Sequence, residues 1–442
     1  MSNHESVSAN VAAQTVSAEG FSAASHDRGP LRLPAFRRLA AGFTINELGN
    51  WIGEVALAIL VFDRTRSAMA TAALFIALRF LPALLAPLLT SRVEAIPARR
   101  ILPGIYVAEC AIFVALAWLA DHFSLPIVIA LGAIDGLLAI AAGALTRGAT
   151  AALLLSDGTL RRGNAILNMG FSAGGAVGPA LAGAMTGFLG VSSALLIDAG
   201  TFAVVALIYA TTTGLRLERT ASSNWRERFR AGLGEAWSRP GVRRLLAAQA
   251  VAMAFFTAVI PIEIVYVKHT LGGGDSAYGA LLGAWGVGMV LGSVAYAARP
   301  RTNQLTMLVL SVALIGVGYA GLGLAPNLVV ACAFSAVGGV GNGTMFITLI
   351  NAIQQSVSLA TQSSVMSIYG AINQLMPGIG YLLGGVITTL ASPRVTYAFA
   401  AAGALLVLGM VAVRPPPGLR GVVPGEDVEP DELTEPAIAS WR

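Results

Sequence analysis

Four polar residues interrupt one long apolar run near the start of the chain, and their types and spacing suit proton chemistry. The run FRRLAAGFTINELGNWIGEVALAILVF holds Asn46, Glu47, Asn50 and Glu54. Separations of three, four and seven put Glu47, Asn50 and Glu54 on one stripe of a helix. A carboxylate at the centre of a bilayer costs about 2.5–3.5 kcal/mol on insertion scales. It must face a wet cavity, meet a partner or take up a proton, so the stripe is the leading candidate for proton coupling. Arg79 lies in the next apolar run, and Asp135 lies near mid-depth in the fourth. Counted from the outer ends of their runs, Arg79, Glu54 and Glu47 fall within about one or two helical turns in depth. Two readings stay open. One is a static Arg79–Glu54 pair that fixes two helices, the other a carboxylate left to load and release protons.

Other polar groups enter apolar runs singly. Glu109 and Asp198, in the third and sixth runs, are expected nearer the interfaces, where water can reach them, in structural roles. Glu263 follows Pro261 near the outer end of the seventh run and suits an outer vestibule. Asn46, Trp51, Asn168, Asn351, Asn373 and Gln374 complete the candidate substrate cavity with Glu263. The alternative for each amide is an interhelical hydrogen bond, worth about 0.6 kcal/mol on average. The stretch AGGAVGPALAG sets Gly174, Gly178, Pro179 and Gly183 on one helix. Those glycines let another helix approach closely, and the proline removes a backbone bond. Gly288 and Gly292, and Gly132 and Gly136, repeat the spacing in the eighth and fourth runs.

Several enzyme-like patterns carry no enzyme chemistry. GFSAG at 170–174 matches a nucleophile elbow, but it sits within an apolar run with no strand before it and no histidine near. GVGYAG at 316–321 matches a dinucleotide fingerprint, again inside an apolar run. Fifty glycines produce such coincidences. The two cysteines and four histidines are scattered, so no metal or haem ligand set is expected and no cofactor is implied beyond a proton gradient.

The elements that must carry these residues follow from composition. Of 442 residues, 56% are hydrophobic and 12% charged, whereas soluble domains carry about 25% charged. Twelve spans of about 20 residues need roughly 240 apolar-compatible positions, which this chain supplies. An ordinary soluble enzyme is excluded, and an all-α integral membrane fold is expected. Apolar runs fall at 38–62, 69–90, 101–120, 125–146, 164–187 and 192–212, then at 244–267, 277–298, 305–324, 328–350, 362–388 and 394–413. The expected organisation is a disordered N-tail (1–33), a six-helix half (34–212), a linker (213–243), a second six-helix half (244–413) and a C-tail (414–442). In the linker Trp225, Phe229, Leu233 and Trp237 recur every four residues between arginines, the pattern of an amphipathic helix lying on the inner leaflet. Twenty-three basic residues fall on the side of the tails and linker and four on the other, with Arg79 inside a span. Positive-inside bias therefore puts both termini in the cytoplasm. The excess of Ala, Gly and Arg reads as a GC-rich bacterial gene, so the bacterial inner membrane is the expected location. Basic residues scattered in short loops do not suit nucleic acid. The partners expected are a small-molecule substrate and membrane lipid, with the chain monomeric. PAFRRL at 34–39 is echoed by PGVRRL at 240–245, which indicates a duplicated unit, a known transporter plan.

The chain resembles twelve-span members of the major facilitator superfamily over about residues 34–413. The segment from FRRLAAGF to LPALLAPL resembles the opening of its bacterial drug, macrolide and siderophore exporters. GPALAG at 178–183 resembles the fifth-helix motif of its proton-coupled antiporters, and AGLGEAWSRPGVRRLL the linker before the seventh helix. The superfamily's loop between helices 2 and 3 usually reads Gly-x-x-x-Asp-Arg; here Thr90, Glu94 and Ala95 stand at those positions, with Arg99 and Arg100 retained. Such exporters often carry Gly-Asp in helix 1, where this chain has Gly49-Asn50, so Glu47 or Glu54 takes the proton-coupling place. The resemblance implies proton-driven export of small amphipathic compounds by alternating access, with Thr90, Glu94, Arg99, Arg100, Gly174, Gly178, Pro179, Gly183 and Gly292 in the conformational machinery. An importer, a lysophospholipid flippase or a non-transporting scaffold or sensor are the alternatives.

Overall fold

The structure is a computed structural model and describes residues 29–85, 98–154, 159–212, 225–298, 303–357 and 359–412. Among the described residues every regular element is helical. Lipid offers no hydrogen-bond partners, so a spanning segment must satisfy its backbone internally, and helices do so residue by residue. The helices are α1 (Pro34–Thr65), α2 (Ala68–Phe75, continuing to Leu85), α3 (Ala98–Leu119), α4 (Leu125–Leu154), α5 (Leu160–Leu189) and α6 (Val191–Ala210). They continue as α7 (Trp225–Ser238), α8 (Pro240–Phe256, continuing to Thr270), α9 (Asp275–Ala297), α10 (Gln304–Leu324), α11 (Leu328–Gln355), α12 (Leu359–Leu390) and α13 (Pro393–Ala412). Both halves open on a proline, Pro34 and Pro240, where a missing N–H is tolerated.

Eleven of these helices are long and apolar enough to cross a bilayer, counted among the described residues. The expected twelfth span is α12, whose 32 residues suffice in length. Asn373, Gln374 and Pro377 near its middle dilute its apolar character. Between spans six and seven, α7 forms where the fourfold spacing predicts a helix, with Leu233 and Trp237 exposed. The side chains of Trp225 and Phe229 lie outside the described residues, as do both tails at 1–28 and 413–442. Pro30–Arg32, assigned to the tail by sequence, forms a 3-10 turn with Pro30 buried.

Two compact units divide the chain. The first takes α1 up to Leu60 and α2 from Ala77 through α6. Its core is an aromatic row between α3 and α6. The Tyr106 ring lies 5.4 Å from that of Tyr209, and the Phe113 ring 5.1 Å from that of Phe202. Helix α1 packs on α5 through glycines spaced four apart: Gly170 faces Thr44, Gly174 faces Glu47 and Gly178 faces Trp51. A Cβ on Gly178 would stand 2.5 Å from the Cβ of Trp51, so the two helices touch because that position is glycine.

The second unit takes the α1–α2 hairpin tip, Val61–Ile76, together with α7–α13. Arg66 turns the hairpin at a left-handed φ of 51°, and Ser67 caps α2 by accepting from the Ala70 N–H at 3.2 Å. The tip docks through charge. Lys268 lies 2.5 Å from Asp63 and 2.6 Å from Asp275, and the His269 ring meets Phe62 edge-on at 5.1 Å. Lys268→Met leaves two half-buried carboxylates facing each other, and removing one partner of such a cluster is costly. A lowered apparent melting temperature in detergent is expected, with most of it regained by Lys268→Arg; equal values for Lys268→Met and wild type would sink this assignment.

Helix geometry departs from regular at two cations. Ile76–Phe80 in α2 is a π-helical turn and contains Arg79; Tyr266–Thr270 after α8 is another and contains Lys268. Between Phe256 and that second turn, Thr257–Ile262 winds as a 3-10 helix around Pro261. The extra residue of a π turn re-aims the side chains it carries, and here both re-aimed side chains are ion-paired.

Candidate functional site

The first unit gathers five carboxylates, Glu47, Glu54, Glu109, Asp135 and Asp198, within its spans, together with Arg79. Arg79 grips both oxygens of Glu54, with Nε donating to Oε1 at 3.2 Å and Nη2 donating to Oε2. The Glu54 side chain is 16% exposed and that of Arg79 49%, so one end of the pair opens outward from the packed helices. Glu47, two turns earlier on the same stripe, has no ion pair among the described residues; Arg79 and Arg147 act on it only across a distance. Its Cβ lies against Gly174. Asn46 is buried, and Asn50 and Trp51 are half-buried. Asp135 on α4 is within electrostatic reach of Glu54 and keeps Oδ1 buried without a hydrogen bond. Beside it Gly136 lets the backbone of α2 at Leu78 come into contact.

Two expectations are corrected here. Glu109 and Asp198 are not hydrated near the interfaces: Glu109 is 1% exposed and Asp198 fully buried. Glu109 occupies the middle of α3, and the Asp198 carboxylate lies against Gly49 and Gly53 of α1.

The remaining candidates separate. Gly178, Pro179 and Gly183 are buried on α5, and the Gly183 carbonyl accepts from Thr186 at 3.1 Å. Asn168 on the same helix is exposed. Thr90 and Glu94 lie outside the described residues, and Arg99 and Arg100 begin α3. In the second unit Gly292 packs directly on the Val340 backbone. Asn351 donates to the Tyr296 hydroxyl at 2.9 Å. Asn373 accepts from Gln249 at 2.8 Å and donates to the Tyr369 carbonyl at 2.8 Å, while Gln374 next to it is exposed. Glu263 is half-buried in the broken part of the seventh span, within electrostatic reach of Tyr319 and Tyr397. Asn351 therefore bonds to α9, and Asn373 is divided between α8 and its own helix. Sequence reading missed Gln249, although a glutamine inside an apolar run is itself a signal of a buried partner, and the Gln304–Gln355 pair at 2.7 Å, which lies just beyond the ends of its runs.

An all-helical chain with this many spans and buried ionisable groups is a membrane transporter in class. The chain matches the family described as transmembrane secretion effectors over residues 25–435, and it belongs to that family of the major facilitator superfamily. It is not an enzyme. Solved structures share the fold. The nucleoside transporter NupG aligns at 12% identity over 86% of this chain and 100% of that one, with a TM-score of 0.65. A bacterial homologue of the iron transporter ferroportin aligns at 13%, over 86% and 98%, with a TM-score of 0.67. A bacterial homologue of the human lysosomal transporter Spinster aligns at 12%, over 86% and 95%, with a TM-score of 0.63. No functionally curated protein matches the sequence.

Proposed function

We propose that this transporter exports small amphipathic compounds, of drug, macrolide or siderophore type, across the bacterial inner membrane by proton antiport. It works by alternating access, as a monomer with both termini in the cytoplasm. One observation carries the reading: Arg79 holds Glu54, while Glu47 on the same stripe lacks an ion pair among the described residues. A carboxylate embedded in a span without a cation is neutralised by a proton when dry and releases it when wetted. Glu47 is therefore the proton carrier, Glu54–Arg79 the fixed pair beside it, and Asp135 the second acid through which protons pass. Asn50 and Asn46 supply hydrogen bonds along the stripe. Trp51, Asn168, Glu263 and Gln374 serve the substrate, and Thr90, Glu94, Arg99 and Arg100 the conformational change. Each proton entering through 100 mV supplies about 2.3 kcal/mol.

Everted vesicles energised to an acid interior test this, with a pH-sensitive dye and a panel of lipophilic cations, macrolides and siderophores. A panel compound should release protons from wild-type vesicles and not from Glu47→Gln vesicles containing equal protein. Equal release from both overturns the role of Glu47. No release by any compound overturns export, and uptake or lipid-movement assays then distinguish an importer from a flippase.

A further inference from the structure

The first unit holds a second acidic group on a different face of α1, roughly 100° around the helix from the Glu47–Glu54 stripe. Here α1 presents Gly49 and Gly53, and the carboxylate of Asp198 occupies the notch they leave: a Cβ at Gly49 would collide with Oδ1, and one at Gly53 with Oδ2. Asp198 is fully buried and Glu109, opposite it on α3, is 1% exposed. Among the described residues one donor serves the pair, the Thr201 hydroxyl, at 3.0 Å from Asp198 Oδ1. Asp198 Oδ2 and Glu109 Oε2 are buried with no hydrogen-bond partner among the described residues.

Among the described residues, the titratable groups within electrostatic reach of the pair are Asp135 from α4 and Tyr106 on α3; Tyr209 on α6 and Glu47 from α1 act on Tyr106. None of them is basic. The nearest cation of the stripe, Arg79, is engaged by Glu54. Two ionised carboxylates in a dry helix interface without a cation repel each other and forfeit their hydration, a penalty of several kcal/mol per ion. A buried acid in this position escapes that penalty by keeping its proton. A neutral carboxyl fits what surrounds it, because it asks for one acceptor and tolerates the aromatic row of α3 and α6.

We propose that Glu109 and Asp198 are a proton-binding pair distinct from the first-span stripe, and that the bound proton keeps α1 seated on α3 and α6. The pair binds its proton whether or not transport is proton-coupled. Ionising it forces water or a counter-ion into the Gly49–Gly53 notch, and α1 must lift from α6 to admit either.

The test uses the full-length protein in detergent. Infrared difference spectra between neutral and alkaline pH report the carbonyl stretch of protonated carboxyl groups, and thermal unfolding is followed over the same range. Wild type should show a protonated-carboxyl band that loses intensity in Glu109→Gln/Asp198→Asn, and the component lost there should persist in Glu47→Gln. The wild-type melting temperature should fall toward alkaline pH, and the double variant should lose at least half of that fall, because an amide mimics the neutral acid. Unchanged band and unchanged pH dependence in the double variant overturn the proposal. The single variants Glu109→Gln and Asp198→Asn give the same two readouts if the double variant folds poorly. Failure of all three to fold also counts against it, since a neutral pair tolerates amides. Loss of substrate-driven proton release with this band intact sinks the antiport reading alone.

Discussion

Arg79→Ala is expected to slow substrate-driven proton release more than tenfold, and Arg79→Ala/Glu54→Gln to restore it to within a few-fold of wild type. The arginine sits in a π-helical turn that directs its guanidinium onto both oxygens of Glu54. Truncating it leaves a carboxylate 16% exposed with no cation in contact. Breaking a buried pair from one side is far more damaging than replacing both partners by neutral groups. The orphaned Glu54 charge then competes with Glu47 for water and counter-charge along the stripe. Removing the Glu54 charge as well abolishes that competition and leaves Glu47 to carry protons. Arg79→Lys is expected to rescue poorly, because an ammonium lacks the planar fork that meets two oxygens at once. The measurement is the dye assay in everted vesicles, normalised to folded protein. A double variant as inactive as Arg79→Ala would make the pair itself part of the coupling machinery.

Much of this architecture was legible in the chain because membrane spans announce themselves by composition and length. The duplicated PAFRRL and PGVRRL openings lie where α1 and α8 begin. The helical stripe of Glu47, Asn50 and Glu54 required only the 3.6-residue period. Other features depend on neighbours far away in sequence. Glu109 and Asp198 look like ordinary interfacial acids until the packing of α1, α3 and α6 is seen to bury both. Nothing in IALRF or YVKHT marks a π turn, since that register change is a response to the packing around Arg79 and Lys268. The hairpin tip groups with the second unit through Asp63 and Lys268, residues 205 positions apart. Asn373 carries an interhelical hydrogen bond that its polarity alone did not specify: Gln249 donates to its Oδ1, and its Nδ2 donates to the Tyr369 carbonyl on its own helix.

The second large effect is one of stability, and its sign runs against local propensity. Alanine stabilises a helix interior over glycine by about 1 kcal/mol, yet Gly292→Ala and Gly343→Ala are each expected to lower the apparent melting temperature by several degrees and reduce folded yield. Between α9 and α11 the glycines are reciprocal. A Cβ on Gly288 or Gly292 would collide with the carbonyls of Ala336 or Val340, and one on Gly339 or Gly343 with those of Trp285 or Met289. The obstacles are backbone atoms on rigid helices, which have no rotamer into which to retreat. Hydroxyls tie the same seam, with Thr344 donating to the Gly292 carbonyl at 3.1 Å and Ser335 to that of Leu281 at 2.8 Å. A single methyl must therefore part the helices along several turns, and overpacking of this kind costs about 1–3 kcal/mol. Gly200→Ala and Gly370→Ala supply the contrast, since a Cβ at either meets nothing within 4 Å. Those two should melt at or slightly above the wild-type temperature. The four variants, unfolded side by side in one detergent, separate the explanations: if all lose stability alike, helix propensity and backbone contact are both the wrong account, and if Gly292→Ala and Gly343→Ala are silent, the α9–α11 seam is looser than backbone contact requires.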